Sequence, residues 1–340
     1  MSKLFETFKK VSLYEWKEKI NQELKGADYN ENLVSENEGI TVQPIYTAES
    51  KIKRYSNIIP KNWITFQYIE STNAKIANKK ALQALNNDVG GLCFSNPNDL
   101  NSLLKNISVE HIKIKFINYK EGFLSEWNKY QEINNIKIDA ILSNNSIDVK
   151  GKTAKEQIHF AISEGNKVDN LSYFNFKIGS DFFLEIAKIK AFRIAWKNIT
   201  SNDPFIFCES SFKNKESEFE YNNILRTTTE CMSAIFGGAN AILLHSFSNK
   251  STDFSDRIAR NQQTILRKES YLEKVIDPSE GSYYIDYLVS ELLKDLDINS
   301  HELIENNIQT YSSAEGIEIQ SKYKDSDMSA VEHIGFAAGI

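Results

Sequence analysis

His245 and Ser246 are the residues whose type and position could place chemistry at a strand end. They close the apolar run NAILLHSF (240–247), which has the composition of a buried β-strand. In a β/α barrel the catalytic groups lie at the carboxyl ends of the parallel strands. The two side chains are therefore predicted to lie on the active-site face if the rest of the chain builds such a barrel.

The helix-like stretch before this strand opens on three threonines, 227–229. Threonine is a mediocre helix former because branching at Cβ restricts χ1. Three in a row indicate a packing role, with small side chains that let the helix lie close to the barrel. Asn222 or Asn223 is expected to cap this helix by accepting a backbone N–H. Gly237 and Gly238 are expected to end it, where a positive φ is needed.

The elements that must position these residues are short β-rich runs that alternate with helix-like stretches. The runs are WITFQYI (63–69), GGLCFS (90–95), HIKIKFI (111–117), IKIDAIL (136–142), YFNFKIG (173–179), PFIFCES (204–210) and NAILLHSF (240–247). This alternation predicts a parallel sheet with crossover helices. Seven visible strands favour an α/β fold of the (β/α)8 TIM-barrel type over an open sheet. An eighth strand is expected near KVID (274–277).

Composition limits the class of protein. A chain of 340 residues with 41% hydrophobic and 25% charged residues can build one barrel of ~250 residues with extensions. The net charge of -6 does not resemble a nucleic-acid footprint, and no apolar run approaches the ~20 residues of a membrane span. Three cysteines without a CxxC pair fit a reducing cytoplasm. Dispersed histidines indicate no metal site, and no Gly-rich phosphate loop is present.

The first 30 residues are predicted to form amphipathic helices that precede the first core strand. Their apolar stripe would be costly to expose in a monomer, so it packs on its own domain or on a partner chain. The candidates for partner contact are the aromatic residues Phe5, Phe8, Tyr14 and Trp16.

Arg193 lies close to the apolar face of the helix-like stretch 181–199. A long cationic side chain can keep its stem on apolar surface and its charge in water. Arg193 is therefore expected to reach the helix end, or to pair with an acid across an interface.

Several longer motifs combine in a specific way. They are FFLEIAKIKAFRIAW, YNNILRTTTECMSAIFGGANAILLHSFS, RIARNQQTILRKES and KVIDPSEGSYYIDYL, preceded by WKEKINQELKGADYNENLVSENEGITVQPIY. Together they resemble the methylmalonyl-CoA mutases over residues 12–60 and 175–295, while 60–175 is similar in strand rhythm only. The resemblance implies a (β/α)8 barrel followed by a cobalamin-binding domain. It also implies an adenosylcobalamin-dependent radical rearrangement between succinyl-CoA and methylmalonyl-CoA.

The sequence departs from the catalytic members of that family. The Asp-x-His-x-x-Gly motif, whose histidine ligates cobalt, is missing from the sequence. His333 lies in VEHIGF, which lacks the aspartate and the spacing of that motif. The family's His-Cys-Gln strand end is FCE here, so the catalytic histidine's place falls to Phe207 and the glutamine's to Glu209. A phenyl ring cannot donate a hydrogen bond to a thioester carbonyl, and a carboxylate would repel an anionic substrate. The family's Phe-Asp-Glu-Ala is replaced by Phe247, Ser248 and Asn249.

These departures imply the small (beta), non-catalytic subunit of a heterodimeric mutase, with a barrel but without the cobalamin-binding domain. No catalytic residue and no metal site are expected. A vestigial pocket at the strand ends would be lined by Phe207, Glu209, His245 and Ser246. This chain is expected to bind no cofactor itself, because adenosylcobalamin (vitamin B12) would be held by the large catalytic subunit. Acyl-CoA would be the substrate of the cytoplasmic heterodimer.

The same resemblance divides the chain into three parts. Residues 1–50 would form an arm and a leading segment that contact the partner, 51–325 the acyl-CoA mutase-like barrel, and 326–340 a C-terminal tail. An obligate interface of this kind buries on the order of 2,000 Å² or more.

Two other functions stay open. The chain could be an active acyl-CoA mutase barrel that works with a separate cobalamin-binding chain. Such a barrel would carry the family's histidine at the strand end, which distinguishes it from a non-catalytic small subunit. It could also be a free acyl-CoA-binding protein or an unrelated barrel enzyme, although neither a Gly-rich phosphate loop nor a metal-ligand pattern in the sequence favours these functions.

Overall fold

The computed structural model describes residues 9–55, 59–168, 173–248, 251–294 and 296, and the backbone of 309–312 and 318–321. Its strands are β1 Ser35–Asn37, β2 Ile40–Val42, β3 Ile64–Glu70, β4 Gly91–Ser95, β5 Lys113–Ile117, β6 Ser146–Asp148, β7 Tyr173–Ile178, β8 Phe205–Ser210, β9 Ala241–Leu243, β10 Gln309–Ser312 and β11 Glu318–Ser321. Its α-helices are α1 Leu13–Glu23, α2 Tyr29–Leu33, α3 Ala74–Leu85, α4 Leu100–Leu103, α5 Phe123–Asn134, α6 Ala154–Gly165, α7 Phe182–Thr200, α8 Asn222–Gly237, α9 Asp253–Lys268 and α10 Tyr283–Leu293.

Strands β3 to β9 form one curled parallel sheet in the order β5-β4-β3-β9-β8-β7-β6, with helices packed outside it. A parallel bridge between Lys115 and Ile141 lies on the outer edge of β5. The Ile141 N–H donates to the Ile114 carbonyl at 2.8 Å, and a few residues later the same segment becomes β6, which pairs with β7. One segment therefore contacts both edges of the sheet. The predicted α/β TIM-barrel type of fold is confirmed.

The prediction of a strand over 136–142 is wrong, because this segment makes a single bridge at Ile141. The side chain of Asn145 accepts from the Leu142 N–H at 2.8 Å and donates to the Ala140 carbonyl at 2.9 Å. Such local side-chain bonds compete with a strand ladder. The regular strand, β6, starts only at Ser146.

The prediction of an eighth strand at 274–277 is also wrong, because Lys274 to Ile276 form bends and Asp277 has no regular secondary structure. Asp277 has a φ of 52°, and its buried carboxylate accepts from Lys190 Nζ at 2.6 and 2.7 Å. This ion pair ties the segment to α7 in the helix layer and away from the sheet.

Arg193 is buried in α7 with 2% of its surface exposed, so both expectations for it are wrong. Its guanidinium donates to the carbonyls of Pro204 and Gly238 and to Asn240 Oδ1, at 3.2, 2.8 and 2.7 Å. Burial lowers the pKa of Arg193 to about 10. Arg193 therefore joins α7 to the segments that lead into β8 and β9.

The threonines of α8 form a polar contact with α9, which is more specific than the close packing predicted for them. Gln262 Nε2 of α9 donates to Thr227 Oγ1 at 2.8 Å and to Thr228 Oγ1 at 2.7 Å. Gly238 follows the helix with a φ of 89°, as predicted. The expected asparagine cap is wrong, because Tyr221 is the N-cap, no side chain caps the helix, and Asn222 and Asn223 already lie within it. The buried Asn223 Nδ2 instead donates to the carbonyls of Glu216 and Phe247.

The N-terminal arm lies on the surface. Its helix α1 begins only at Leu13, after a capping box between Ser12 and Glu15, and contains no buried residue. Tyr14 is 71% exposed and Trp16 is half-buried. The other two candidates for partner contact, Phe5 and Phe8, lie outside the described residues.

In the described part of the chain, no helix has both the length and the apolar character to cross a membrane.

Candidate functional site

The side chains of β8 alternate between the barrel interior and the helix layer. Ile206 and Cys208 pack in the core beneath the helices, whereas Phe207 packs inside the barrel with Phe66 of β3. The two rings meet edge to face with centroids 4.8 Å apart. Because side chains along a strand repeat every two residues, Glu209 points into the same interior, one pleat closer to the carboxyl end.

Glu209 is paired with Lys115 across the inside of the barrel. Lys115 lies on β5, on the face that β5 turns inward, and is 3% exposed. Its Nζ donates to Glu209 Oε1 at 2.6 Å and to Asn175 Oδ1 at 3.2 Å. The same ammonium lies 4.1 Å from the centroid of the Phe207 ring, a cation–π distance.

The second carboxylate oxygen of Glu209 is also occupied. Lys177 of β7 donates to Oε2, and His245 Nε2 lies 3.2 Å from the same atom. The His245 backbone N–H donates to Ser210 Oγ at 2.9 Å, which holds the residue beyond the last ladder bond of β9. The ring of Phe212 packs on the imidazole with centroids 4.4 Å apart.

Charge neutralisation keeps Glu209 ionised although it is buried. Burial alone raises the pKa of a carboxyl group, but the charge of Lys115, the hydrogen bond from His245 and the charge of Lys177 outweigh it. The net effect holds the pKa of Glu209 well below its usual range. Burial lowers the pKa of Lys115, yet the Glu209 carboxylate outweighs burial and raises it. A carboxylate with a lowered pKa is a weak base at neutral pH, so it is poorly suited to general base catalysis.

A small cleft adjoins this cluster at the carboxyl ends of β5 and β6. It has a volume of about 250 Å³ and shares Lys115, Asp148 and Asn175 with the charged network. Asn175 Nδ2 donates to Asp148 Oδ1 at 2.9 Å, so its amide links Asp148 to Lys115. The cleft is mainly polar where it meets the barrel interior.

Three of the four predicted pocket residues meet in this cluster: Phe207, Glu209 and His245. Ser246 lies next to them in sequence, but its Oγ accepts from the Ser248 N–H at 3.2 Å, within its own loop. Sequence reasoning missed Lys115 and Lys177 as members of the cluster. For Lys115 a signal was available in HIKIKFI (111–117), where Lys113 and Lys115 alternate with apolar residues. Side chains two residues apart lie on the same face of a strand, so this alternation places both lysines on one face.

No group of three or more His, Cys, Asp or Glu side chains that could hold a metal ion occurs among the described residues.

The fold and the strand-end cluster define a β/α-barrel protein whose candidate site lies on the carboxyl-end face of the barrel. Residues 152–306 match the family model described as methylmalonyl-CoA mutase. Over this part of its length the chain is similar to the methylmalonyl-CoA mutase family.

Three relatives show how the similarity is distributed. The methylmalonyl-CoA mutase small subunit of Porphyromonas gingivalis is 29% identical over 85% of this chain and 62% of its own length. The methylmalonyl-CoA mutase of Rhizobium meliloti is 40% identical over 41% of this chain and 22% of its own length. The mitochondrial enzyme of Homo sapiens is 38% identical over 36% of this chain and 18% of its own length. The chain thus spans about three fifths of the first relative and about a fifth of the other two.

Proposed function

We propose that this chain is the small subunit of a heterodimeric methylmalonyl-CoA mutase, and that it stabilises a catalytic large subunit without performing chemistry itself. The observation that carries the proposal is the ion pair of Lys115 and Glu209 across the barrel interior, directly above the packed rings of Phe66 and Phe207. A substrate threaded along the barrel axis would have to displace both pairs. The similarity over 85% of this chain to a protein named as a small subunit supports the same function.

The strand-end residues lack the properties that acyl-CoA chemistry would need. Phe207 cannot polarise a thioester carbonyl, and Glu209 is held ionised by two lysines. His245 Nε2 is bonded to that carboxylate. The cluster is therefore proposed to be a structural remnant of a catalytic site, with a role in barrel stability.

Adenosylcobalamin does not fit the described residues. His245 is the described histidine at the carboxyl-end face, and the nitrogen it presents there is bonded to Glu209 while Phe212 covers its ring. His301 and His333 lie outside the described residues. We therefore propose that the large subunit binds both the cofactor and the acyl-CoA substrate.

The proposed contact with the large subunit includes the arm and leading segment, residues 1–50. Helix α1 contains no buried residue, and Leu13, Trp16 and Ile20 form a half-buried apolar stripe at helical spacing. Tyr14 adds a largely exposed aromatic ring beside it. A partner surface over this stripe would bury apolar area that the monomer leaves in contact with water.

A cytoplasmic location completes the proposal. The three cysteines, Cys93, Cys208 and Cys231, are free and buried. Buried thiols of this kind fit a reducing compartment.

Co-expression with the mutase large subunit of the same genome tests the function. We expect light scattering to show a stable 1:1 complex, and succinyl-CoA isomerisation to require adenosylcobalamin and the large subunit. Turnover by this chain alone, or a stable monomer that ignores the large subunit, would overturn the proposal. A large subunit with its own catalytic histidine replaced is the matched control, since it should form the complex and lose all activity.

A further inference from the structure

A β-hairpin in the leading segment contacts the barrel of its own chain. Strands β1 and β2 pair antiparallel, and Asn37 pairs with Ile40 across a two-residue turn of Glu38 and Gly39. Both turn residues have a positive φ, 50° and 81°, as in the tight hairpin turns that match the natural twist of two strands. The turn therefore holds the tip of the hairpin in one defined conformation.

The tip of the hairpin lies on the N-termini of two helices. The Glu38 carboxylate accepts from the backbone N–H of Ala154, the first residue of α6, at 2.6 Å. The Asn37 amide donates to the carboxylate of Asp181, the N-cap of α7. The first N–H groups of a helix have no partner within the helix, and its N-terminus favours negative charge. Glu38 is therefore placed to stabilise the start of α6.

The rest of the same segment contacts a third helix, α10. The Tyr287 hydroxyl donates to the Thr41 carbonyl at 2.7 Å. The Tyr46 ring stacks on the rings of Tyr284 and Tyr287, with centroids 5.6 and 4.7 Å apart. Hydrogen bonds from the segment to α6, α7 and α10 thus span 116, 144 and 246 residues of sequence.

These contacts lie on the side of the barrel where the sheet ends. Strand β6 is the last strand in the sheet order and has three residues. The segment before it meets β5 at the bridge between Lys115 and Ile141. Few ladder hydrogen bonds therefore fix β6 and α6, the helix that follows it. The hairpin holds α6 and α7 from outside the sheet.

We propose that residues 35–50 form a strap that the chain closes on its own barrel, with Glu38 as its latch. The closed strap covers the N-termini of α6 and α7 and holds both helices against the end of the sheet. When the strap opens, it opens as a unit, and the first turn of α6 loses its contact with Glu38. Closure takes place within one chain and does not depend on a partner.

The strap also positions helix α1. The Leu13 N–H at the start of α1 donates to Glu49 Oε2 at 3.0 Å, and Glu49 lies at the end of the strap. The closed strap therefore reduces the contact proposed for residues 1–50 to the surface that stays exposed, chiefly α1.

Hydrogen exchange of the full chain, followed by mass spectrometry, tests the strap, because exchange in a protected element reports its local opening. Gly39→Ala should speed exchange roughly fivefold or more in peptides that span the hairpin, α6 and the start of α7. Alanine is strained at a φ of 81°, but its Cβ would meet no atom within 4 Å among the described residues. Gly26→Ala is the matched control, since Gly26 has a φ of 94° and equally open surroundings outside the strap.

Glu38→Asn separates the latch from the turn. Asparagine favours the positive φ of this turn, but its side chain is uncharged and one methylene shorter than that of glutamate. The variant should therefore speed exchange in α6, as Gly39→Ala does. Glu36→Gln removes the same charge from an exposed position of the hairpin and should leave exchange in α6 unchanged.

Each outcome decides for or against the strap. Faster exchange confined to the hairpin, α6 and α7 in a monomeric chain supports it. Unchanged exchange in α6 for both Gly39→Ala and Glu38→Asn would overturn it, because the helix is then held without the hairpin. An equal rise with Gly26→Ala would show general destabilisation and overturn it as well. Light scattering on the same samples covers the remaining case: a wild-type dimer that both strap variants dissociate would place the hairpin on a second copy and contradict closure within one chain.

Discussion

The Lys115 ammonium and the Glu209 carboxylate lie 2.6 Å apart inside the barrel, with side chains that are 4% and 9% exposed. They come from strands β5 and β8, which are not neighbours in the sheet. Their contact therefore joins distant parts of the barrel wall through its interior. It also occupies the volume in which a barrel enzyme would hold substrate.

Replacing Lys115 with Met should lower the free energy of unfolding by about 3 kcal/mol, because it leaves a buried carboxylate without its buried cation. Urea unfolding followed by tryptophan fluorescence measures this loss. Lys177→Met is the control: its side chain is 54% exposed, so it should cost less than about 1 kcal/mol. Equal losses in the two variants would show that Lys115 has no special role.

Acid should remove the contribution of Glu209 to stability. Because folding holds the pKa of Glu209 well below the unfolded value of about 4.3, its contribution is fully present above that pH. It is lost as the pH falls through the folded pKa. The difference in unfolding free energy between the wild type and Glu209→Gln should therefore shrink between pH 7 and pH 3. A constant difference would contradict the assignment.

Glu230 should show the opposite dependence. It is buried, and burial raises its pKa although Lys215 Nζ lies 2.6 Å away and acts to lower it. A raised folded pKa makes the wild type lose stability, relative to Glu230→Gln, as the pH rises from about 4.3 through the folded pKa. The same urea titrations measure both variants. Parallel slopes for Glu209→Gln and Glu230→Gln would contradict this difference in environment.

Replacing Gln262 with Ala should destabilise the contact between α8 and α9. The variant loses the Nε2 amide, whose two hydrogens are shared among Thr227 Oγ1, Thr228 Oγ1 and the Ile224 carbonyl, all within 2.8 Å. The expected cost is about 1–3 kcal/mol in urea unfolding. Thr229→Ala, at the exposed member of the threonine run, should stay within about 0.5 kcal/mol.

Under the proposed function, replacing His245 and Ser246 with Ala should leave the isomerisation rate of the complex with the large subunit within about twofold of wild type. In the proposed function these strand-end residues do not contact the reacting atoms. The loss of their proton-transfer groups should therefore not slow the isomerisation. Steady-state kcat and KM of the purified complex are the measurement. A fall in kcat of ~100-fold with the complex intact would indicate that this barrel is catalytic.

The elements that sequence patterns predicted well are those with local causes. Six of the β-rich runs contain a sheet strand, because alternation and β-branched composition act within a few residues. Gly237 and Gly238 end α8 as expected; a Cβ on Gly238 would lie 2.7 Å from Ile59 Cβ, at a φ that favours glycine. The failures at 136–142 and 274–277 have tertiary or side-chain causes, namely Asn145 and the ion pair of Asp277 with Lys190.

The sequence by itself determined the barrel class, the family motifs and the place of Phe207 and Glu209 at a strand end. Only the tertiary structure decided what Glu209 does there. Its partner Lys115 is 94 residues away in the chain, and no local pattern couples two such positions. Barrel closure brings them together in a buried space, where an unpaired charge is costly and a close opposite charge is required.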